Sequence, residues 1–212
     1  MKKYILILAL LLTVAPQSGK ADALTLTPAQ QNDVARLKLY LNSLKNIEAH
    51  FVQANSNGAI RYGDLAIARP GKMRITYRPP DRDFLVADGR FIHMWDDEIQ
   101  SQTSLPLSSG PASFLLRDPI NFHDDVILTG FNRTKNHVEI TLTSRENPDE
   151  GTLTLIFEDG PVVLRQWRVL DAQGNITGVQ LENIQTDVTF PKNTFVFVSP
   201  KRNQPYPGQT RR

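Results

Sequence analysis

Hydrophobic and polar positions follow two rhythms along this chain. Val34, Leu37, Leu41, Leu44 and Ile47 recur every third or fourth residue, which predicts one amphipathic helix of about 20 residues with a single apolar stripe. Thr27-Pro28-Ala29-Gln30 marks its start: the threonine caps, the proline takes the first helical position and the glutamine closes a capping box. A helix with that stripe needs a surface to lie on. From His50 onward the period falls to two, and turn signals punctuate it: Asn57-Gly58, Pro70-Gly71, Pro79-Pro80, Asp88-Gly89 and Asp159-Gly160-Pro161. The pattern predicts about eleven short strands at 51–55, 59–69, 72–78, 83–87, 90–96, 126–130, 138–144, 152–158, 162–171, 176–187 and 195–198. Short connections between so many strands imply an antiparallel sheet that curls or partly closes. No repeat of solenoid or propeller length is present.

The stretch from Leu105 to His123 breaks the strand rhythm. Ser108-Ser109-Gly110-Pro111 opens a short helix, Ala112-Ser113-Phe114-Leu115-Leu116-Arg117, stopped by Pro119. One or two apolar turns are unstable alone, so this segment is either a packing element of the sheet or a movable flap.

Several strands are apolar on both faces. In Phe91-Ile92-His93-Met94-Trp95, Phe91 and Trp95 point one way and Ile92 and Met94 the other. Val163, Trp167 and Val169 oppose Val162, Leu164 and Leu170, and Met73, Ile75 and Tyr77 form a further apolar line. Both faces of such a sheet must be covered. Two architectures meet that demand: a curved sheet with an inner hydrophobic cavity for a lipid-like ligand, or a sandwich with a second layer.

Composition fits a single domain of 24–200, with 40% hydrophobic and 22% charged residues in a chain of 212. Met1-Lys2-Lys3, the apolar run Tyr4 to Ala15 and Ala21-Asp22-Ala23 have the layout of a cleaved secretory signal peptide, 1–23, with the cut after Ala23 or after Ala21. Export across the inner membrane follows, and the mature protein is expected to be soluble in the periplasm. The leader carries three lysines and one aspartate, so 24 basic and 22 acidic residues become 21 of each on its removal. Four of those bases sit in the tail 201–212, which leaves the body with 17 bases against 21 acids. An acidic body has no footprint for nucleic acid, whose binding rests on phosphate neutralisation.

Little supports catalysis. Zero cysteines exclude disulfides, thiolate chemistry and lipidation on cysteine. His50, His93, His123 and His137 form no metal-binding pair, and there is no nucleophile elbow or phosphate-cradling loop. Asp96-Asp97-Glu98 and His123-Asp124-Asp125 lack the ligand spacing of a calcium loop. The expectation is a protein that is not an enzyme, with no metal and no cofactor.

Ile47-Glu48-Ala49-His50-Phe51-Val52-Gln53 resembles the F-x-A-x-F-x-Q stretch of the LolA family of lipoprotein carriers. The stretch from Gly63 to Arg74, with Arg69-Pro70, matches that family's G-x-L-x-x-x-R-P-x-x-F-R hairpin, with Met73 where an aromatic is common. Leu85 to Trp95 resembles its L-V-S-D-G-x-x-L-W-x-Y hairpin, and 111–117 falls where the family has its lid. The resemblance implies a curved, unclosed β-barrel with helices across its mouth and an apolar interior for acyl chains. It implies that Arg69 latches the lid by hydrogen bonds to lid backbone. It also implies acylated lipoproteins as cargo, an inner-membrane release complex as donor and an outer-membrane acceptor. On that basis Met73, Ile75, Phe91, Met94, Trp95 and Trp167 are expected to line the cavity, with Phe114, Leu115 and Leu116 on the lid of a monomeric carrier. The alternatives are a periplasmic sensor or adaptor of the same fold and a carrier of another apolar lipid. The short, basic tail differs from a longer C-terminal segment.

Overall fold

The computed structural model describes residues 21–122 and 124–200. Most of the leader, His123 and the basic tail lie outside the described residues. One helix, α1 (Pro28–Ser43), is followed by β1 (Asn46–Asn55), β2 (Ile60–Ala68), β3 (Lys72–Tyr77), β4 (Phe84–Asp88), β5 (Phe91–Asp96) and β6 (Ser101–Pro106). A short 3-10 helix, Pro111–Leu116, precedes β7 (Val126–Arg133), β8 (His137–Ser144), β9 (Gly151–Glu158), β10 (Val163–Asp171) and β11 (Ile176–Thr186). The Thr27 cap and its reciprocal bond with Gln30 are both present, as the capping box requires. The helix is 16 residues long, so Leu44 and Ile47 of the predicted stripe lie beyond it, Ile47 on β1.

All eleven strands form one antiparallel sheet in the order β6-β5-β4-β3-β2-β1-β11-β10-β9-β8-β7. It is curved and unclosed, as expected, because β6 and β7 at its two edges do not pair. The total of eleven conceals an exchange. Residues 195–198 are not a strand, whereas Ser101–Pro106, with no apolar alternation, pairs with β5 along its whole length.

Register assigns the two faces. Ile67 lies opposite Met73, Met73 opposite Ala87, and Ala87 opposite Ile92; Leu65, Ile75, Leu85 and Met94 form the next row. These rows share the concave face with Phe51, Ile140, Leu155, Phe157, Trp167, Val179 and Leu181, which pack with Leu37, Leu41 and Leu44 into one core. Leu37 and Leu41 are wholly buried. The helix and the lid thus occupy the interior of the curl, which accounts for one apolar face.

Among the described residues no second sheet covers the other. The chain after β11 crosses the outer face of β3–β5, where the Phe197 ring lies 5.4 Å from Phe84 and 5.2 Å from His93. Arg74 donates to the Thr194 carbonyl there at 3.4 Å. The alternating Phe-Val-Phe-Val run reflects packing on a sheet rather than membership of one.

Candidate functional site

Arg69 stands at the end of β2, at the turn into β3, and three parts of the fold meet on it. Its backbone N–H donates to Lys45 O at 2.9 Å. Its Nε donates to Leu115 O of the short helix at 2.7 Å, and Nη1 donates to Leu41 O of α1. The carbonyls of a helix's last turn have no partner inside the helix, and α1 has no basic residue in its own last turn. Arg69 fills both roles from outside, since a cation is favoured at the negative end of the helix dipole. Burial pushes its guanidinium down to about 10, opposed by the charges of Asp118 and Tyr40. Such a cation is costly unless its donors are used, and the bonds to α1 and to the short helix use two of them.

The neighbouring backbone completes the closure. Gly71 N–H donates to Leu116 O at 2.8 Å. Its φ of +76° favours glycine, and an added Cβ would lie 3.0 Å from Gly89 Cα and 3.2 Å from Leu107. The helix-to-lid connection is also tied: Lys45 pairs with Asp118 at 2.6 Å and Lys38 reaches Asn121 at 3.1 Å. Arg117 grips Asp125 with two bonds of 2.7 and 2.8 Å while lying over the Phe114 ring. Near the middle of α1, Arg36 and Arg133 each bridge Asp33 and Asp159.

The expected site residues divide by face. Phe114, Leu115 and Leu116 of the short helix are buried, and Arg69 donates to the Leu115 carbonyl. Met73, Ile75 and Met94 lie on the concave face and are half-buried, while Trp167, on the same face, is buried among the core residues of the opposite half. Phe91 and Trp95 do not share that face. Trp95 pairs with Phe84 and Phe91 precedes Ile92, so both project from the outer face; Trp95 is buried there, and Phe91 is 47% exposed. Strand parity puts Met94 and its neighbour Trp95 on opposite faces of the sheet, although both border a hollow at the far end of the strip.

Residues the sequence reading passed over belong here. Leu85 and Ile92 share rows with Met94 and Met73, and same-face parity is the signal that finds them. Together they form an apolar strip on β3–β5 that α1 and the lid leave partly open. A hollow of about 410 Å³ lies at its lid end, lined by Pro70, Gly71, Leu107, Ser113, Leu116 and Arg117 among others. A second, of about 290 Å³, lies at the other end beside Arg61, Tyr77, Leu85 and Met94. Among the described residues no helix is long and apolar enough to cross a membrane. The arrangement offers apolar area behind a polar fastening.

Comparison with known proteins decides the family. The model for "Outer membrane lipoprotein carrier protein LolA" matches residues 42–198. The chain belongs to the LolA family. Outer-membrane lipoprotein carrier proteins are among its LolA relatives. That of Chromobacterium violaceum is 26% identical over 194 residues, covering 82% of this chain and 87% of the relative. That of Pseudomonas fluorescens is 25% identical over 183 residues, with the same coverage. A crystallised LolA superfamily protein from Nitrosomonas europaea is 8% identical, with a TM-score of 0.46 over 79% of this chain and 97% of its own. The resemblance read from the Arg69-Pro70 hairpin and its neighbours is therefore a family relationship.

Proposed function

We propose that this LolA-family chain is a periplasmic carrier that takes the acyl chains of lipoproteins against its concave face and passes them from the inner to the outer membrane. One observation carries the reading: Arg69 joins the last turn of α1 to the lid across a largely apolar interior. Acyl burial is worth about 0.8 kcal/mol per methylene. Two chains of about sixteen carbons, wholly buried, would then exceed the ceiling of about 18–21 kcal/mol seen for noncovalent binding. A carrier that bound so tightly could not release. Competition from a closed empty state lowers the net affinity, and the fastening at Arg69 stabilises such a state.

Reconstitution tests this. Membranes carrying an acylated lipoprotein and the release complex are mixed with the mature chain, and soluble lipoprotein is followed, then its arrival in acceptor membranes. A stoichiometric soluble complex that delivers its cargo supports the carrier. Persistent failure to solubilise any acylated cargo, by protein that is folded, favours a sensor or adaptor of the same fold.

A further inference from the structure

The strip on β3–β5 ends abruptly. Its rows run from Met73, Ala87 and Ile92 beside the lid, through Ile75, Leu85, Met94 and Thr103, to Tyr77. At that point Arg61 lies over the Tyr77 ring at 3.7 Å and is held by Asp81 at 3.1 Å and by Asp83. Tyr77 is fixed in turn, donating from its hydroxyl to Gln53 at 2.7 Å and standing edge-on to Phe51 at 5.5 Å. Asp83 also accepts from the Asp97 N–H at 2.9 Å. The far end of an otherwise apolar path is thus closed by a cross-braced, charged floor.

We propose that Arg61 and Tyr77 set the length of acyl chain the strip accepts, an inference that rests on the acyl-carrier reading above. A methylene driven against this floor gains no apolar contact and would have to displace a guanidinium already paired with two carboxylates. Strand β3 rises about 3.3 Å per residue, so Gly71 to Tyr77 measures about 20 Å, the reach of an extended chain of about sixteen carbons. The lid rim is one terminus of that measure and the Tyr77 ring is the other. A chain of fitting length fills the rows; a longer one must fold back or leave its end in water.

Saturated fatty acids of graded length, from about ten to about twenty carbons, compete with a fluorescent acyl probe for the mature chain. Affinity in the wild type climbs about fourfold per methylene and breaks near about sixteen carbons. In Tyr77→Ala the break moves about three carbons longer, because truncation opens space beneath the floor. Thr103→Phe, on the exposed edge strand in the Met94 row, moves it about three carbons shorter by filling the path. Far-ultraviolet circular dichroism confirms that each variant is folded, and the edge-strand variant keeps the test open if Tyr77→Ala does not fold. Affinity that rises without a break, or a break that stays put in the folded variants, overturns the floor as a length determinant and leaves the acyl carrier standing. Wild-type protein that binds neither probe nor any fatty acid overturns both.

Discussion

Asn42 and Ile120 hold each other by two hydrogen bonds: the Asn42 side chain accepts from the Ile120 N–H at 2.8 Å and donates to the Ile120 carbonyl at 3.1 Å. A third bond, from the same amide group to Lys38 O at 2.9 Å, fixes its rotamer. The chain leaving the lid is therefore fastened to α1 as a strand is to its neighbour, although neither segment belongs to the sheet. Asn42→Ala leaves the N–H of buried Ile120 without its partner. A loss of about 1–3 kcal/mol is expected in urea denaturation. Faster exchange of the Ile120 amide, with the β8–β9 amides unchanged, will show that the loss is local.

Arg69→Leu keeps the bulk of the side chain and removes both donations, to Leu41 O and Leu115 O. One hydrogen bond from a charged group is worth about 1.5 kcal/mol, which moves the balance from closed to open roughly tenfold. With the closed empty state weakened, bound acyl cargo loses its competitor, so delivery to acceptor membranes slows by about that factor while loading persists. Arg69→Lys restores only part, because one ammonium cannot reproduce a planar fork that reaches two carbonyls. Transfer that runs at the wild-type rate in Arg69→Leu would refute the latch.

Acid should loosen α1 at its middle. The side chains of Arg36 and Arg133, with burial opposing them, hold the Asp159 carboxyl below its ordinary value of 3.8. A carboxylate with a depressed folded value adds stability above the unfolded value and loses it as pH falls through the folded one. The pairing of Asp159 with Arg36 and Arg133 therefore contributes fully at neutral pH and fades below about pH 4. Asp159→Asn should lower the urea midpoint at pH 7 and flatten the pH dependence below 4. An unchanged acid limb in the variant would mean that other carboxylates carry it.

The two faces of β5 give the sharpest contrast. Met94→Asp places a carboxylate on the concave strip and should abolish binding of an acyl probe, because an unpaired charge there must be desolvated. Phe91→Asp, on the exposed outer face next to Asp88 and His93, should leave probe binding within about twofold. Equal loss in both variants would show that the outer face takes part.

These contrasts also show where the sequence was legible. Alternation in Lys72 to Tyr77 and in Phe91 to Asp96 was enough to place strands and to separate Met94 from Trp95, but parity names no inside. That choice is made by α1, whose Leu37 and Leu41 pack against one face only. Ser101 to Pro106 escaped notice because an edge strand with both faces largely wet needs no apolar alternation. Phe195 to Val198 has the alternation without a ladder, since its rings rest on Phe84 and His93 from outside. Arg69 was found through the family motif, because nothing in its spacing says that Leu41 and Leu115 converge on it. The Arg61–Tyr77 floor depends on the β1–β2–β3 register, which sets Arg61 opposite Gln53 and Tyr77 opposite Gly63, one same-face position along, and no local pattern announces that.

The unpaired edges of the sheet have a mechanical consequence. The lid lies in the chain between β6 and β7, so the segment that closes the mouth also bridges the slit of the curl. A split ring can widen by flexing, without breaking a single rung of its ladder, and every widening pulls on that bridge. Under the carrier function proposed above, girth and gate would become one coordinate: swelling of the interior by cargo would tug the short helix away from Arg69, and seating that helix would draw the slit together. Loading would be sensed at the latch through the ring itself, with no separate messenger.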